Sequence, residues 1–317
     1  VKKSLWLYAC ELPKTAFLIS LLWIAVPAHA QQNPFPVLTG KYVDKDEPSE
    51  EVTVFAKGII STEGYEHSAP ALSPDGKTVV WGIVERDKPS VLLEMRKVDG
   101  KWTRPQPVSF SAQTSDDMYP AFSADGRQLI FGSRRPLPDG SAVNDIRLWV
   151  VNATASGWGV PAPLDSTLSK GFEYAHSVSE HGTIFFSARK VEDGKPKWNI
   201  YFSSRLNGVY REPKKLGPAI NDGSYVDGPY ISPDERFLIF ESDRNGGMGS
   251  NDLYICFKKS DGSWGDPKNM GPKVNSAFSE RFAGLSPDGK CFFFSSNRNG
   301  ALPDIFWINA DFIKALQ

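Results

Sequence analysis

His67, Asp117, Glu173 and Glu280 share one register: each stands six residues before a serine that opens a turn, at Ser73, Ser123, Ser179 and Ser286. A fifth such serine, Ser232, has Val226 at that place and Asp227 one position later. Carboxylates and an imidazole converging from separate segments could hold a cation, a sugar or a basic peptide, and two carboxyls at the right separation could act as acid and base on a glycosidic bond. The competing assignment is structural, with the same side chains accepting backbone amides where strands begin. Tyr119, Tyr174, Tyr225, Tyr230 and Phe282 lie beside these positions. Their faces suit sugar stacking or peptide capture, or else they pack between neighbouring elements. His176, with His67 and Glu173, breaks the symmetry of the set, and a metal or active site on a repeated framework needs such asymmetry.

Other chemistry is sparse. The chain has no Gly-x-Ser-x-Gly elbow, no His-Glu-x-x-His and no paired Cys-x-x-Cys, so neither a serine hydrolase nor a zinc site is indicated. The runs RNGGMGSND (244 to 252) and NRNG (297 to 300) lack the Lys-Ser/Thr pair and the following helix pattern of a phosphate loop, and read as hairpin loops. No catalytic residue, metal or cofactor is assigned. With 36 basic and 37 acidic residues, the chain carries no excess charge for nucleic acid or an anionic membrane surface. Cys256 and Cys291 sit in the apolar runs LYICF and KCFFF. Both are expected as buried thiols, a mutual disulfide being the alternative in an oxidising compartment.

The elements that must position these residues repeat. Around the five serines the chain reads ALSPDGKTVVW, AFSADGRQLIF, SVSEHGTIFF, YISPDERFLIF and GLSPDGKCFFF, at separations of 50, 56, 53 and 54 residues. That period is the mark of propeller blades or solenoid turns. In Ser-Pro-Asp-Gly the proline presets φ, Asp tolerates the next position and Gly supplies the positive φ that completes a hairpin with a bulge. Glu235 replaces that glycine in the fourth copy, which either turns differently or bears about 1 kcal/mol of strain. His181 replaces the Asp of the third and is expected to be exposed and inert.

Each unit then adds an apolar strand and an Arg (Arg135, Arg189, Arg244, Arg298), followed by a third strand opened by Asp145, Asn199, Asp252 or Asp304. These neighbours predict bidentate pairs Arg135–Asp145, Arg244–Asp252 and Arg298–Asp304 within the blades. An anion-binding ring of arginines is the alternative, weakened because the first unit lacks the pattern. Gly-Trp turns at 100 to 105, 156 to 161 and 262 to 267 lead to a fourth, outer strand. The content of 9 Trp, 10 Tyr, 20 Phe, 27 Gly and 24 Pro fits short aromatic strands joined by tight turns.

Counting decides between ring and solenoid. The last unit ends 31 residues after Ser286, short of an outer strand, while 22 residues from Glu51 to Ser73, beginning EVTVFAKGIIS, precede the first. The two pieces make one repeat. The expectation is an all-β, five-bladed β-propeller of four-stranded antiparallel blades over 51–317, its ring closed by the N-terminal strand. Residues 31–50, with the acidic run DKDEPSEE, read as a flexible leader. Residues 1–30 carry early lysines, the apolar run AFLISLLWIAV and an Ala-His-Ala end, the pattern of a signal peptide cleaved after Ala30. That run is shorter than the ~20 residues a bilayer span needs, so no stable membrane span is expected after cleavage. Without those residues, which include Lys2, Lys3, Lys14 and Glu11, the formal charge of −1 becomes −3.

The repeated unit of Ser-Pro-Asp-Gly-Lys, aromatic strand, Ser-x-Arg and Asp-Ile-Tyr resembles the TolB-like and WD-like β-propeller repeats of bacterial envelope proteins, over residues 51 to 317. The signal peptide cleaved after Ala30 implies a periplasmic or secreted protein. The resemblance implies no single function, because translocation proteins, peptidase-associated domains and polysaccharide-processing enzymes share the repeat. The reading is a monomeric, non-catalytic binding or scaffold module. Its partner in trans would be an envelope protein or glycan, held at a channel mouth formed by His67, Asp117, Glu173, His176, Asp227 and Glu280. The alternative is a hydrolase or lyase acting on poly- or oligosaccharide through the same carboxylates. Arginine partners closing the ring would argue against that alternative.

Overall fold

Alternation of apolar and turn residues at the repeat period gives five antiparallel sheets, one per serine anchor. The computed structural model describes residues 35 to 317 except positions 67, 86, 112 to 114, 144, 169 to 172, 193, 223, 224 and 301. His67 and the expected signal peptide therefore lie outside the described residues. Blade one runs from the split inner strand Tyr65–Glu66 and Ala71–Leu72 through Thr78–Val84 and Val91–Val98 to Lys101–Trp102 and Gln106–Pro107. Blade two uses Asp117–Phe122, Gln128–Ser133, Arg147–Thr154 and the outer Ala162–Pro163. Blade three uses Glu173–Val178, Ile184–Glu192, Lys195–Ser203 and Lys214–Lys215, and blade four Val226–Ile231, Phe237–Ser242, Asp252–Phe257 and Lys268–Asn269. Blade five has Glu280–Leu285, Cys291–Ser296 and Asp304–Asn309, and its outer strand is Thr53–Val54 from the other end of the chain. Thr53 pairs with Trp307 and Val54 with Phe306, which closes the ring as the residue count requires.

The second strands are apolar on both faces because each blade is covered on both sides by its neighbours. Phe292, Phe293 and Phe294 are consecutive and all fully buried; each contributes roughly 2–3 kcal/mol by leaving water. Cys256 and Cys291 are free and buried, and burial pushes their thiols up to about 12 and about 11.

The serine and aspartate of the turn motif have a common role. The Ser73 hydroxyl donates to Asp75 Oδ1 at 2.6 Å and accepts the Thr78 amide at 2.9 Å, while Asp75 accepts the Lys77 amide. The pattern recurs at Ser123, Ser232 and Ser286. Blade four keeps the same turn, with Glu235 held at φ +58°. Its carboxylate accepts the Ser179 hydroxyl of blade three at 2.8 Å and the Lys258 ammonium at 3.0 Å. Ser179 is the copy whose own Asp is replaced by His181, so the two irregular tips complete each other. The strain of one αL glutamate is offset by hydrogen bonds that the neighbouring tip lacks.

The flexible leader needs correction in its described part. Tyr42 and Val43 are buried, and the compact unit begins at Val37 rather than 51. The amide and indole of Trp102 donate to the carbonyls of Leu38 and Gly40, Tyr42 packs edge-on to Trp307, and Asn309 donates to the Ser49 carbonyl. Lys41 and Tyr42 both donate to Asp288 in the last hairpin tip. Against the opposing effect of burial, bonds from Lys41, Ser286 and Tyr42 hold that carboxyl well below the carboxylate range. The acidic run suggested a solvated segment, but the apolar residues of VLTGKYV just before it supply enough buried surface to clamp the seam between blades one and five.

Candidate functional site

Each inner strand in blades two to five carries a register break: Met118/Ala121, Glu173/His176, Asp227/Tyr230 and Arg281/Gly284. Such bulges re-aim side chains, and here they divide the central channel into two ends. At the carboxylate end, before the bulges, the side chains alternate between blade faces. Asp117 and Glu280, both with no exposed surface, point into the body of their own blades.

The arginines settle why. Arg135 donates to both oxygens of Asp117 at 2.9 and 2.8 Å, and Arg298 donates to Glu280 at 2.9 Å. The expected pairs Arg135–Asp145, Arg244–Asp252 and Arg298–Asp304 are thus replaced. Through Nε, Arg135, Arg244 and Arg298 each donate to the hydroxyl of the serine two residues earlier, Arg135 to Ser133 at 3.0 Å, and each of these guanidinium groups lies over aromatic rings of the second and third strands. The stacked position turns the guanidinium back toward the inner strand. In blade four, where Val226 offers no carboxylate, Arg244 donates to the Ile220 carbonyl at 2.7 Å. Asp252 instead accepts the Met248 and Gly249 amides, and Asp304 accepts from Asn299. The Asp117 carboxyl is still pushed above its ordinary range by burial, against the pull of Arg135 and Ser133.

The sequence reading missed Glu66. It is fully buried and accepts the amide and hydroxyl of Thr62 at 3.0 and 2.7 Å. Glu280 accepts the same two groups from Ser276. Glu66 is therefore the carboxylate that blade one holds as blade five holds Glu280, and the signal was a Ser/Thr four residues before a Glu. Glu173 is buried opposite Ala188.

Asp227 lies on the other blade face and belongs to a second set. Tyr225 donates to Asp227 at 2.6 Å and to Glu241 at 3.2 Å; Arg281 donates to Glu241 at 2.9 Å and also to Tyr225; Ser187 of blade three donates to Asp227. Gly228, at φ +59°, lets the chain pass close to Glu241, whose Oε2 lies 3.0 Å from where a Cβ would stand. Burial pushes Glu241 up to about 7, with Arg281 opposing and Asp227 adding to the rise. Phe282, Tyr119, Tyr174, Trp198 and Tyr225 follow one another at centroid separations of 5.0, 5.0, 5.0 and 6.0 Å across this end. Tyr119 and Phe282 hold positive φ at their bulges, and both rings are buried. Of the two readings of these aromatics, packing therefore holds for Tyr119, Tyr174, Tyr225 and Phe282, while Tyr230 packs against Phe237.

The hairpin end is open. A funnel of about 310 Å³ lies among the turn tips, walled by Pro70, Leu72, Pro120, Pro229, Tyr230 and Leu285. The turn prolines Pro74, Pro233 and Pro287 also face it. A groove of about 420 Å³ shares Tyr230, Pro233 and Leu285 with the funnel and runs to Ile313 and Lys314 of the C-terminal helix Phe312–Leu316. His176 is on the funnel wall, where burial pushes its imidazole down to about 4 against a smaller pull from the Ile130 and Tyr174 backbone. Among the described residues no group of three His, Cys, Asp or Glu side chains could hold a metal ion.

No family model matches the chain, and no curated protein matches it by sequence. Solved structures do. TolB from Acinetobacter baumannii superposes with a TM-score of 0.51 at 16% identity, covering 87% of this chain and 63% of that one. The chain has a TolB-like propeller fold. It spans less than two thirds of that protein's length. A protein described as TolB from Agrobacterium tumefaciens follows at a TM-score of 0.47 and 23% identity, covering 72% of this chain and 69% of that one. A gluconolactonase from Xanthomonas campestris gives 0.49 at 13%, covering 87% and 98%. Among the described residues no helix is long and apolar enough to cross a membrane.

Proposed function

We propose that this propeller is a non-catalytic binding module that seats an extended segment of a partner protein in the hairpin-end funnel and its groove. The observation that carries the reading is the contrast in polar satisfaction. Asp117, Glu280 and Glu241 are fully buried and closed by Arg135, Arg298 and Arg281, so they are poorly placed as acid and base on a saccharide. The concave surface that remains open is part apolar and part polar and is rimmed by proline, and its radial groove suits a chain rather than a branched glycan. A signal peptide removed after Ala30 would place the module in the periplasm or outside the cell, with an envelope protein as the partner in trans.

The test is capture of envelope proteins on the immobilised chain. Ala121 lines the funnel, and Ala121→Arg fills it with a charged side chain. Capture is expected to fall at least tenfold with Ala121→Arg and to persist with Glu280→Ala, which lowers the melting temperature instead. Equal capture by the wild type and Ala121→Arg would end this reading.

A further inference from the structure

Blade three departs from the others at the carboxylate end of the ring. In blades two, four and five the second strand stops at Ser133, Ser242 and Ser296. In blade three it runs past the equivalent Ser187 to Glu192, and the third strand pairs with it from Lys195 onward. The extension lengthens the hairpin by about 17 Å at the rise of an antiparallel strand. Its composition is also distinct. Residues 187 to 215 hold eight basic and three acidic residues in a chain of formal charge −1, so that everything outside them sums to −6.

The register sorts these charges by face. Residues directly opposite in an antiparallel pair share a face, and the chain returns to that face at every second residue. Lys190 stands opposite Lys197, and Glu192 opposite Lys195, so three lysines and one carboxylate lie together. Lys215 of the outer strand donates to both oxygens of Glu192 at 2.8 Å, and Asn199 donates to it at 3.3 Å. The bond from Lys215 holds that carboxyl below its ordinary value against burial, and the charges of Lys197 and Lys190 add to the pull. The Lys190 ammonium lies 4.5 Å from the centre of the Tyr201 ring. Among the described residues, Lys190, Lys195 and Lys197 form no ion pair. Lys190 and Lys195 are exposed and Lys197 is half-buried.

Like charges directly opposed across a ladder destabilise it. Lysine at an open edge can deter strand pairing, but Pro196 and a single lysine already serve that end. The second, opposed lysine adds only repulsion, which an anionic partner removes. The partner's form follows from the spacing. An extended chain with Asp or Glu at every second residue presents carboxylates along one side at about 6.8 Å, the separation of Lys195 from Lys197 along their strand. A bilayer fits less well. Val191, 74% exposed, is opposite Pro196 on the other face, so the hairpin offers no apolar group to bury beside its lysines.

We propose that the projecting hairpin of blade three is a second docking surface, on which Lys190, Lys195 and Lys197 receive an extended acidic segment of a partner protein. It lies at the channel end opposite the funnel and does not rest on the funnel being a binding site.

The test titrates the whole protein against a fluorescent, alternating Glu-Ser decapeptide at low ionic strength, read by anisotropy. Saturable binding is expected, and its loss at about 1 M salt, where charges are screened beyond about 3 Å. The alternating Gln-Ser decapeptide is expected not to bind, and the isomer with contiguous glutamates to bind at least threefold more weakly. Lys190→Gln/Lys197→Gln is expected to weaken the alternating Glu-Ser peptide at least tenfold while leaving the melting temperature unchanged or raised, because the repulsion leaves with the charge. Lys57→Gln/Lys101→Gln, which changes two lysines exposed elsewhere on the ring, is expected to bind as the wild type does. Absence of saturable binding overturns the proposal, and so does an equal loss in the two double variants, which marks diffuse attraction. Unchanged binding with a lowered melting temperature in Lys190→Gln/Lys197→Gln makes the lysines framework and likewise overturns it. Uptake by phosphatidylglycerol vesicles without peptide binding assigns the hairpin to a membrane instead.

Discussion

The two ends of the channel treat polar groups in opposite ways. At the carboxylate end Asp117, Asp227, Glu241 and Glu280 are fully buried, and serine, tyrosine and arginine side chains bond to them. At the hairpin end the wall is mostly proline and aliphatic. A buried charge must be paired to be tolerated, so the end with the most ionisable residues is the one with least chemistry to spare. Density of charge marked framework here.

The contrast can be broken most forcefully at Arg281. Its loss leaves Glu241 and Asp227 buried together without the guanidinium that faces both Glu241 and Tyr225, and Arg281→Ala is expected to cost about 3–5 kcal/mol in urea unfolding. A loss below about 1 kcal/mol would mean that this network does not hold blades four and five together. A smaller effect concerns pH. Glu241, raised by burial to about 7 from 4.5, binds its proton more tightly folded than unfolded. Its contribution is fully present below about pH 4.5 and is lost as pH rises through 7, since the unfolded chain binds fewer protons across that window. Relative to Glu241→Gln, the wild type is expected to lose on the order of 1–3 kcal/mol between pH 5 and 8. Parallel pH–stability curves for the two proteins would remove Glu241 from the account.

The smallest effect tests the mutual repair of the irregular tips. Glu235→Gly relieves αL strain but deprives Ser179 and Lys258 of a partner. His181→Asp should restore to Ser179 the acceptor that the other four tips carry. The double-mutant cycle is expected to give a favourable coupling of about 1 kcal/mol; additive single effects would show the two tips to be independent.

Much of this was legible in the residues. Five anchors, four strands per unit and the complementary chain ends lead to a closed ring, because turn chemistry and strand alternation are local and closure is a matter of counting. The candidate site was less legible, for reasons that particular residues show. Register alone passed over Glu66, the carboxylate of blade one that the Thr62 hydroxyl fixes. Arg135 and Asp145 are near in sequence, yet aromatic stacking turns the guanidinium back to Asp117. The acidic residues at 44 to 51 hid the apolar Leu38, Tyr42 and Val43 that clamp the leader. The Ser-Pro-Asp-Gly motif read as a turn, which it is, but its prolines also form the rim of the funnel.

The amino-acid sequence by itself determined the number of blades, the hairpin at each tip and the strand that closes the ring, because these depend on φ preferences, two-residue alternation and chain length. Which carboxylate meets which arginine and which end of the channel is filled were decided only in three dimensions. Those outcomes depend on which blade face a side chain takes after a one-residue bulge, and on what the neighbouring blade brings against it.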